Sequence, residues 1–418
     1  TVGGTVVDNG PVAWNQLGAD IDGEAADDRS GWRLALSSDG TIVAIGAINN
    51  DGNGAESGHV RIYGYSGSSW TQLGSDINGE VAGDQLGFDV SLSSDGTILA
   101  TGAWTNDGNG ADSGHVRIYE YNGSSWTQLG SDIDGEGAGD RFGGSVTLSS
   151  DGTIVAIGAT KNDGGGTDSG HVRIYGYNGS SWSQLGADID GSGAGESFGK
   201  AISLSSDGTI AAIGAQGVDG LKPGLVRVYE YNGSSWSQLG VDIDSEGEGD
   251  RFGGPVSLSS DGTILATGGV QNDGGGSNSG HVRIYKYSGG SWTQLGSDID
   301  GEAAGDYLGF SVSLSSDGTI LAIGAIYNDG NGTDSGYARI YEYDGSSWSQ
   351  IGSDINGEAA SDYSGWSISL SSDGTIVAIG AARNDGGGAD SGHVRVYNMT
   401  GGVVTTPGSE IIPMDVSG

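Results

Sequence analysis

The sequence predicts an all-β fold, a β-propeller with seven blades and four antiparallel strands in each blade. The first observation is a Ser-Ser-Asp-Gly turn that recurs every 56 residues, apart from one step of 54. The second is that each unit holds four short alternating runs of β-branched and aromatic residues, separated by Gly, Asn, Asp and Ser. A regular period of this length indicates a repeat architecture, and four strands per repeat are typical of propeller blades. The turn aspartates are Asp39, Asp95, Asp151, Asp207, Asp261, Asp317 and Asp373.

One unit, residues 142–197, shows the four strands in order. Strand A covers 144–149, strand B 153–159, strand C 171–177 and strand D 181–186. Each alternates apolar and polar residues with a period of two, as a half-buried strand does. Asn178-Gly179 between strands C and D is a strong hairpin signal. No segment combines a helical apolar period with capping residues.

The two ends of the repeat region predict how the ring closes. Residues 11–18 form a strand D with no strands A to C before them, whereas the last repeat, 366–397, has strands A to C and no strand D. The N-terminal strand is therefore expected to complete the last blade, which removes exposed sheet edges. The predicted organisation is an N-terminal lead (1–10), the propeller (11–398) and a C-terminal tail or linker (399–418).

The charge of the chain limits its partners. It carries 54 acidic and 16 basic residues, a net charge of -38. Nucleic acid is not expected as a partner, because binding to phosphate needs Lys and Arg. No apolar run of 18 residues exists, so no membrane span is expected. The acidic charge repels itself in the compact state, and divalent cations would relieve this; the alternative is that surface acidity only keeps the protein soluble.

Two acidic loops are expected on one face of the disc, because the B–C and D–A connections leave a blade at the same end. In the D–A loop, Asp132, Asp134, Glu136 and Asp140 occupy relative positions 1, 3, 5 and 9, as oxygen ligands of Ca²⁺ do in a calcium loop. The alternative is that Asp, Asn and Gly are simply good turn residues. The candidate Ca²⁺ ligands are Asp76, Asn78, Glu80, Asp84, Asp132, Asp134, Glu136, Asp140, Asp163, Asp168, Asp298, Asp300, Glu302 and Asp306.

Some repeated side chains are expected to be structural. The Trp of strand D is predicted to pack between blades, and the Arg in strand C to pair with a loop carboxylate. The His that begins strand C is expected to hydrogen-bond between loop and strand. Trp104 breaks the pattern at the end of strand B and is the candidate for exposure to a ligand. Lys222, in the shortened B–C loop of the fourth blade, marks a sector where a partner or another copy could dock.

Five Asn-x-Ser/Thr sequons could carry glycans if the protein passes through a eukaryotic secretory route. The first three lie in C–D turns, on the end of the blade opposite the acidic loops. They begin at Asn122, Asn178, Asn232, Asn331 and Asn398.

With these residues noted, the chain resembles the FG-GAP repeat family, which includes the propeller of integrin α chains. Phe142-Gly143 opens strand A and Ile157-Gly158-Ala159 closes strand B, and the pair recurs along residues 11–398. The resemblance implies a seven-bladed propeller and, by analogy, extracellular adhesion or ligand binding with calcium. That family's calcium loop lies between strands A and B. Here this turn is only residues 149–152, so any site must be built from the other loops.

The function expected from the sequence is a secreted or cell-surface binding or structural module of the adhesion type. Its partner would be a protein, a glycan or another copy of the chain, with cations on the acidic face. The alternative is a lectin-like propeller that binds carbohydrate between blades through aromatics such as Trp104. An enzyme is not expected, because near-identical blades show no nucleophile–base pair and no polar constellation that occurs once.

Overall fold

The computed structural model describes residues 12–216 and 223–401, and it confirms the seven-bladed all-β propeller. Each blade is an antiparallel sheet in which strands A, B, C and D follow one another from the central channel outward. Blade 1 begins at Ser30, and the chain leaves blade 7 at Thr400, the end of its strand C. The predicted lead, Lys222 and all but the first three residues of the predicted tail lie outside the described residues.

The four main strands recur at equivalent positions in every blade. Strands A are Ser30–Leu36, Leu86–Leu92, Phe142–Leu148, Phe198–Leu204, Phe252–Leu258, Leu308–Leu314 and Ser367–Leu370. Strands B are Ile42–Ala47, Ile98–Ala103, Ile154–Ala159, Ile210–Ala215, Ile264–Gly269, Ile320–Ala325 and Ile376–Ala381. Strands C are His59–Tyr65, His115–Tyr121, His171–Tyr177, Leu225–Tyr231, His281–Ser288, Tyr337–Tyr343 and His393–Thr400. Strands D are Ala13–Gln16, Trp70–Gln72, Trp126–Gln128, Trp182–Gln184, Trp236–Gln238, Ser291–Gln294 and Trp348–Gln350.

A fifth, two-residue strand follows strand D in each blade and was not predicted. It pairs with the first residues of strand C, so it ties the D–A loop to the blade that the chain is leaving. In blade 2, for example, Ile133 pairs with Val116 and Asp134 with His115. These strands are Ile21–Asp22, Ile77–Asn78, Ile133–Asp134, Ile189–Asp190, Ile243–Asp244, Ile299–Asp300 and Ile355–Asn356.

The ring closes through the N-terminal strand, as predicted. Ala13–Gln16 pairs antiparallel with strand C of blade 7, with Trp14 opposite Met399. The indole Nε1 of Trp14 also donates a hydrogen bond to the carbonyl of Ile351 in blade 6, at 3.3 Å. The repeated tryptophans bridge the other blades in the same way; Trp126, for example, reaches Leu73 at 2.8 Å. The prediction that these rings pack between blades is confirmed.

The two glycine motifs of the repeat meet where adjacent blades touch. Gly102, near the end of strand B, faces Gly143, near the start of the next strand A, and a Cβ on Gly102 would lie 2.0 Å from the Gly143 carbonyl oxygen. Gly143 itself has a φ of 90°, which favours glycine. The Phe-Gly and Ile-Gly-Ala motifs are therefore the two halves of a close contact between backbones.

The A–B turns are hydrogen-bonded to one another in a ring around the channel. The backbone N–H of Ser94 donates to the carbonyl of Ser150 in the next blade at 2.8 Å, and Ser372 donates to Ser38 across the closure. Within each turn the aspartate accepts hydrogen bonds from the Ser before it and the Thr after it, as Asp151 does from Ser149 and Thr153. The turn that repeats most faithfully thus joins all seven blades at one end of the channel.

Candidate functional site

The acidic D–A loops lie beside the B–C loops, and most of their predicted metal ligands are bonded to protein groups. The first Asp of the loop pairs with Arg in strand C of the blade it leaves: Asp132 accepts hydrogen bonds from Arg117 at 3.0 and 3.1 Å. The Glu pairs with Arg of the following blade, as Glu136 does with Arg173. Asp76, Asp298, Glu80 and Glu302 make the same two kinds of ion pair. The expected Arg–carboxylate pairs between loops are therefore present.

The last Asp of each loop is buried and holds the loop closed. Asp140 accepts hydrogen bonds from the backbone of Gly137 and from the side chain of Asn162, both at 3.1 Å. Asp84 and Asp306 are placed in the same way. Asp134 and Asp300 are exposed in the two-residue strands, where Asn78 takes the equivalent place in blade 1. The structure thus directs the four side chains of one loop to different neighbours.

The candidate ligands of the B–C loop lie at the outer edge of the same face. The carboxylate of Asp163 accepts the backbone N–H of Asp168 at 2.8 Å, which closes the loop on itself. Asp168 also forms an ion pair with Lys161 at 3.2 Å.

Blade 4 shows how the loop contacts are retained when its residues change. The D–A loop that leads from blade 3 into blade 4 has Ser192 in place of the pairing Glu and Glu196 in place of the buried Asp. Glu196 accepts the backbone N–H groups of Ser192 and Gly193, and its other oxygen pairs with Arg227 at 2.5 Å. One longer side chain therefore makes both contacts.

Two of the five histidines at the start of strand C, His281 and His393, do not make the hydrogen bonds expected of them. His281 is 1% exposed, and neither ring nitrogen has a hydrogen-bond partner among the described residues. Its ring instead packs edge-on against Phe252, with centroids 6.2 Å apart, and its Nδ1 lies 3.8 Å from Asp298. Burial lowers the pKa of all five histidines, so they pack as neutral rings.

Five Glu–His–Asp groups could hold a metal ion by their spacing. In the group of Glu80, His115 and Asp132, however, the guanidinium of Arg117 already contacts both carboxylates. A cation there would meet that positive charge, and a histidine nitrogen is not a preferred donor for Ca²⁺. The groups do not fit calcium. The five groups are Asp20, Glu358 and His393; Glu24, His59 and Asp76; Glu80, His115 and Asp132; Glu136, His171 and Asp188; and Glu246, His281 and Asp298.

The sequon asparagines differ in exposure. Asn122, Asn178 and Asn232 are exposed in C–D turns, where each side chain bonds to the Ser residues that follow it. Asn331 is exposed in a B–C loop but donates to the carbonyl of Gly357 at 2.8 Å. Asn398 lies within the last strand C, opposite Asn15.

The blades differ from one another chiefly around one mouth of the central channel. A cavity of about 190 Å³ opens on the side of the acidic loops, and the two residues that follow the repeated Gly at the start of each blade surround it. The first of the two is Trp32, Phe88, Gly144, Lys200, Gly254, Phe310 or Trp366, and the second is Arg33, Asp89, Ser145, Ala201, Pro255, Ser311 or Ser367. All of these except Trp32 and Phe88 line the cavity directly.

The opposite mouth gives a direct contrast. Its cavity, of about 160 Å³, is lined by the same two residue types in every blade, one Leu at the end of strand A and one Ser of the turn. A structural ring therefore forms one end of the channel, and a ring of non-repeating side chains forms the other.

Aromatic rings form a continuous arc at the variable mouth. The rings of Trp32 and Trp366 lie 4.7 Å apart, and Phe310 lies 5.0 Å from Trp366. Phe88 connects Trp32 to Trp104, on which it stacks at 4.0 Å. Trp104, predicted to be an exposed platform, is thus half-buried in this arc. Its other contacts are Arg141, 4.5 Å from the ring centre, and Gln85, which accepts its N–H at 2.7 Å.

Three charged residues extend the mouth on its polar side. Arg33 lies 3.6 Å from Asp89, whose carboxylate also accepts the backbone N–H of Val146 at 2.7 Å. Enclosure within the ring raises the pKa of Asp89, against the opposing effects of Arg33 and Lys200. Lys200 lines the same cavity, and part of its side chain remains exposed. Partial removal from water, together with the nearby charges of Arg33 and Arg251, lowers the pKa of Lys200 to about 8.

This site was missed from the sequence, although a signal for it was present. The repeat is nearly constant at most positions, but the two residues after the Gly of strand A change in kind from blade to blade. In a closed ring, equivalent positions face one common axis. Variation at positions that face the axis therefore marks a site with unlike groups on its sides.

The comparisons with known proteins agree with the fold. Two stretches of the chain, residues 132–175 and 299–341, match the FG-GAP repeat. No curated relative matches its sequence. Among solved structures it is similar to Raptor of Chaetomium thermophilum, with 12% identity and a TM-score of 0.60, over 94% of this chain and 29% of that one. It is also similar to U3-55K, with 13% identity and a TM-score of 0.51, over 94% of this chain and 99% of that one.

A third similar structure corrects the expectation that the chain is not an enzyme. The periplasmic gluconolactonase PpgL of Pseudomonas aeruginosa shares the fold, with 15% identity and a TM-score of 0.52, over 78% of this chain and 86% of that one. A propeller of similar blades can therefore carry catalysis, and repetition is no argument against it. The expectation that no polar constellation occurs only once is also wrong, because Arg33, Asp89 and Lys200 form one at the channel mouth.

No helix of the length and apolarity needed to cross a membrane occurs within residues 12–216 and 223–401.

Proposed function

We propose that this chain is an extracellular binding propeller that recognises a carbohydrate at its variable channel mouth. The observation that carries the proposal is the contrast between the two ends of the channel. One end repeats the same Leu and Ser seven times, whereas the other places Trp366, Phe310 and Lys200 at equivalent positions of different blades. Such variation is expected where a ligand contacts several blades at once.

The chemistry of the mouth supports a sugar as the ligand. Aromatic faces pack against the C–H faces of a sugar ring, and a few placed polar groups fix its orientation. The arc supplies the first element through Trp366 and Phe310. The second is supplied by Arg33, Asp89 and Lys200, which line the same cavity. The proposed site therefore lies on the channel axis rather than between blades.

A matched pair of variants tests the proposal. Gly144 and Gly254 occupy the same strand position as Trp366, so Trp366→Gly reproduces a residue that the blade already accepts. Screening wild-type protein on a glycan array should identify ligands, and calorimetry should then show at least a tenfold loss of affinity in Trp366→Gly. Trp182→Phe, at the outer edge of blade 3, is the control and should bind normally. Equal binding by Trp366→Gly and wild type would place the ligand elsewhere.

Catalysis at the same mouth is a second candidate, supported by the altered pKa values of Asp89 and Lys200. Groups whose pKa values are shifted inside a cleft are candidates for proton transfer. Because Lys200 has a pKa of about 8, part of it is neutral near neutral pH and can accept a proton. Gluconolactone is a suitable probe, since a gluconolactonase shares the fold. Hydrolysis that is faster than in buffer and is lost in Lys200→Met would support the candidate, and a rate equal to buffer would reject it for this substrate.

We also propose that Ca²⁺ binds to the exposed carboxylates of the acidic face. Asp134 and Asp163 are exposed on neighbouring loops, and neither forms an ion pair with an Arg within the described residues. Hard carboxylate oxygens of this kind are the ligands that Ca²⁺ prefers. Calorimetric titration of the protein with CaCl₂ tests this, and Asp134→Asn together with Asp163→Asn should weaken the heat signal.

A further inference from the structure

The arginines of this acidic protein fall into two groups. Seven of the twelve pair with carboxylates of the D–A loops. The other five are near the variable mouth in sequence or in space. Arg33 lies in strand A, Arg383 follows a strand B, and Arg29, Arg141 and Arg251 each directly precede a strand A.

These mouth cations are not neutralised by acidic partners. Among the described residues, Arg29, Arg141, Arg251, Arg383 and Lys200 have no carboxylate within the 4.0 Å of a salt bridge. Three of the arginines instead lie over aromatic rings: Arg29 at 6.0 Å from Trp32, Arg141 at 4.5 Å from Trp104 and Arg383 at 5.0 Å from Tyr363. In a chain of net charge -38, unpaired cations collected on one rim need an explanation.

The charge is unbalanced at the cavity itself. Arg33 and Lys200 line it, and Arg251 lies near enough to Lys200 to affect its ionisation. The one carboxylate among the lining residues, Asp89, is shared with Arg33 and with the backbone of Val146. The two cations and the one carboxylate that line the cavity leave a local surplus of one positive charge, to which Arg251 near Lys200 adds, and like charges close together repel unless an anion joins them.

We propose that the ligand of the mouth is an acidic oligosaccharide whose carboxylate binds between Lys200 and Arg33 while its sugar rings pack on the aromatic arc. This inference rests on the proposed carbohydrate-binding function and narrows it to uronic-acid sugars. Guanidinium groups bind carboxylates through paired hydrogen bonds, and the ammonium group adds a compact charge. The Trp366 and Phe310 rings, which line the same cavity, supply the uncharged part of the contact.

The protonation of Lys200 gives the proposal a second, independent consequence. Lys200 is charged below its pKa of about 8 and loses its charge above it. The affinity for an acidic sugar should therefore fall as the pH rises from 7 to 9, while a neutral sugar should show no such fall.

A sugar pair that differs only in charge tests the inference. Trigalacturonate and its methyl ester have the same rings, and calorimetry at pH 7 should show the acid binding at least tenfold more tightly. Lys200→Met should remove most of this preference, whereas Lys200→Arg should keep it and abolish its dependence on pH. Lys286→Met is the matched control, because it removes an exposed lysine of strand C outside the mouth.

The outcomes separate the two proposals. If acid and ester bind equally, the charge selectivity is refuted and the carbohydrate site stands. If neither these sugars nor any glycan of the array binds, both are refuted. A sulfated trisaccharide serves as a third probe: binding stronger than that of the carboxylate would overturn the assignment to uronic acids. Circular dichroism of each variant checks that a loss of binding is not a loss of folding.

Discussion

The buried histidines predict a loss of stability between pH 7 and pH 5, and His393 allows a clean test. Its side chain is 1% exposed, and neither ring nitrogen has a hydrogen-bond partner within the described residues. Burial, helped by Arg395, lowers its pKa from 6.5 to about 4, although Asp20 and Asp362 act in the opposite direction. Asp20 belongs to the N-terminal segment that closes the ring, with its carboxylate 3.7 Å from the ring Nδ1.

The direction and size of the effect follow from linkage between protonation and folding. Because the folded-state pKa is lower than the unfolded one, the contribution is fully present above pH 6.5 and is lost as the pH falls toward 4. One pKa unit corresponds to about 1.4 kcal/mol. Between pH 7 and pH 5, the loss of unfolding free energy from this one residue is therefore about 2 kcal/mol. An oxygen of Glu358 also lies 4.0 Å from the ring Nδ1 of His393 and would pair with the imidazole once it is charged.

The substitution His393→Leu isolates this contribution, because blade 4 has Leu225 at the equivalent position. Urea denaturation of both proteins at pH 7 and pH 5 measures the change. The variant should lose about 2 kcal/mol less than wild type over this interval. If both proteins lose the same stability, His393 is not a neutral buried ring, and the account of the histidines is wrong. His281→Leu, in blade 5, repeats the test independently, since burial also lowers the pKa of His281.

Three further predictions concern the ring and its loops. Trp14→Ala should lower the free energy of unfolding by about 2 kcal/mol, since a half-buried Trp contributes less than the 3–5 kcal/mol of a core one. Chemical denaturation measures this loss, and Asn15→Ala, at an exposed position of the same strand, should lose less. Gly102→Ala should prevent folding or lower the melting temperature strongly, because its Cβ would lie 2.0 Å from the Gly143 oxygen. Gly137→Ala should be tolerated, since the D–A loops that leave blades 7 and 5 already have Ala25 and Ala303 at this position; equal melting of the two variants would contradict the close backbone contact. If Ca²⁺ neutralises the exposed loop carboxylates, a site with a dissociation constant of about 1 mM should add about 1.4 kcal/mol at about 10 mM CaCl₂; melting curves in CaCl₂ and in EDTA at equal ionic strength should then differ, and superimposable curves would count against the calcium proposal.

The periodicity of the sequence was sufficient to predict the architecture. Seven Ser-Ser-Asp-Gly turns with four alternating runs per unit leave few alternatives to a propeller, and the unmatched strand at 11–18 indicated how the ring closes. The structural roles of the repeated Trp and Arg could also be predicted, because a residue present in every blade is most simply explained by contacts that every blade makes. These predictions needed only local pattern and repetition.

The candidate site needed the tertiary structure, because its residues lie far apart in the chain. Trp32 and Trp366 are separated by more than 300 residues, yet their rings lie 4.7 Å apart because the ring returns the last blade to the first. The sequence also could not show that Asp132 and Glu136, neighbours in one loop, are directed to arginines of two different blades. Local pattern therefore determined the strands and their number. The closed ring decided which side chains face the channel, because only closure brings the same position of seven blades to one axis.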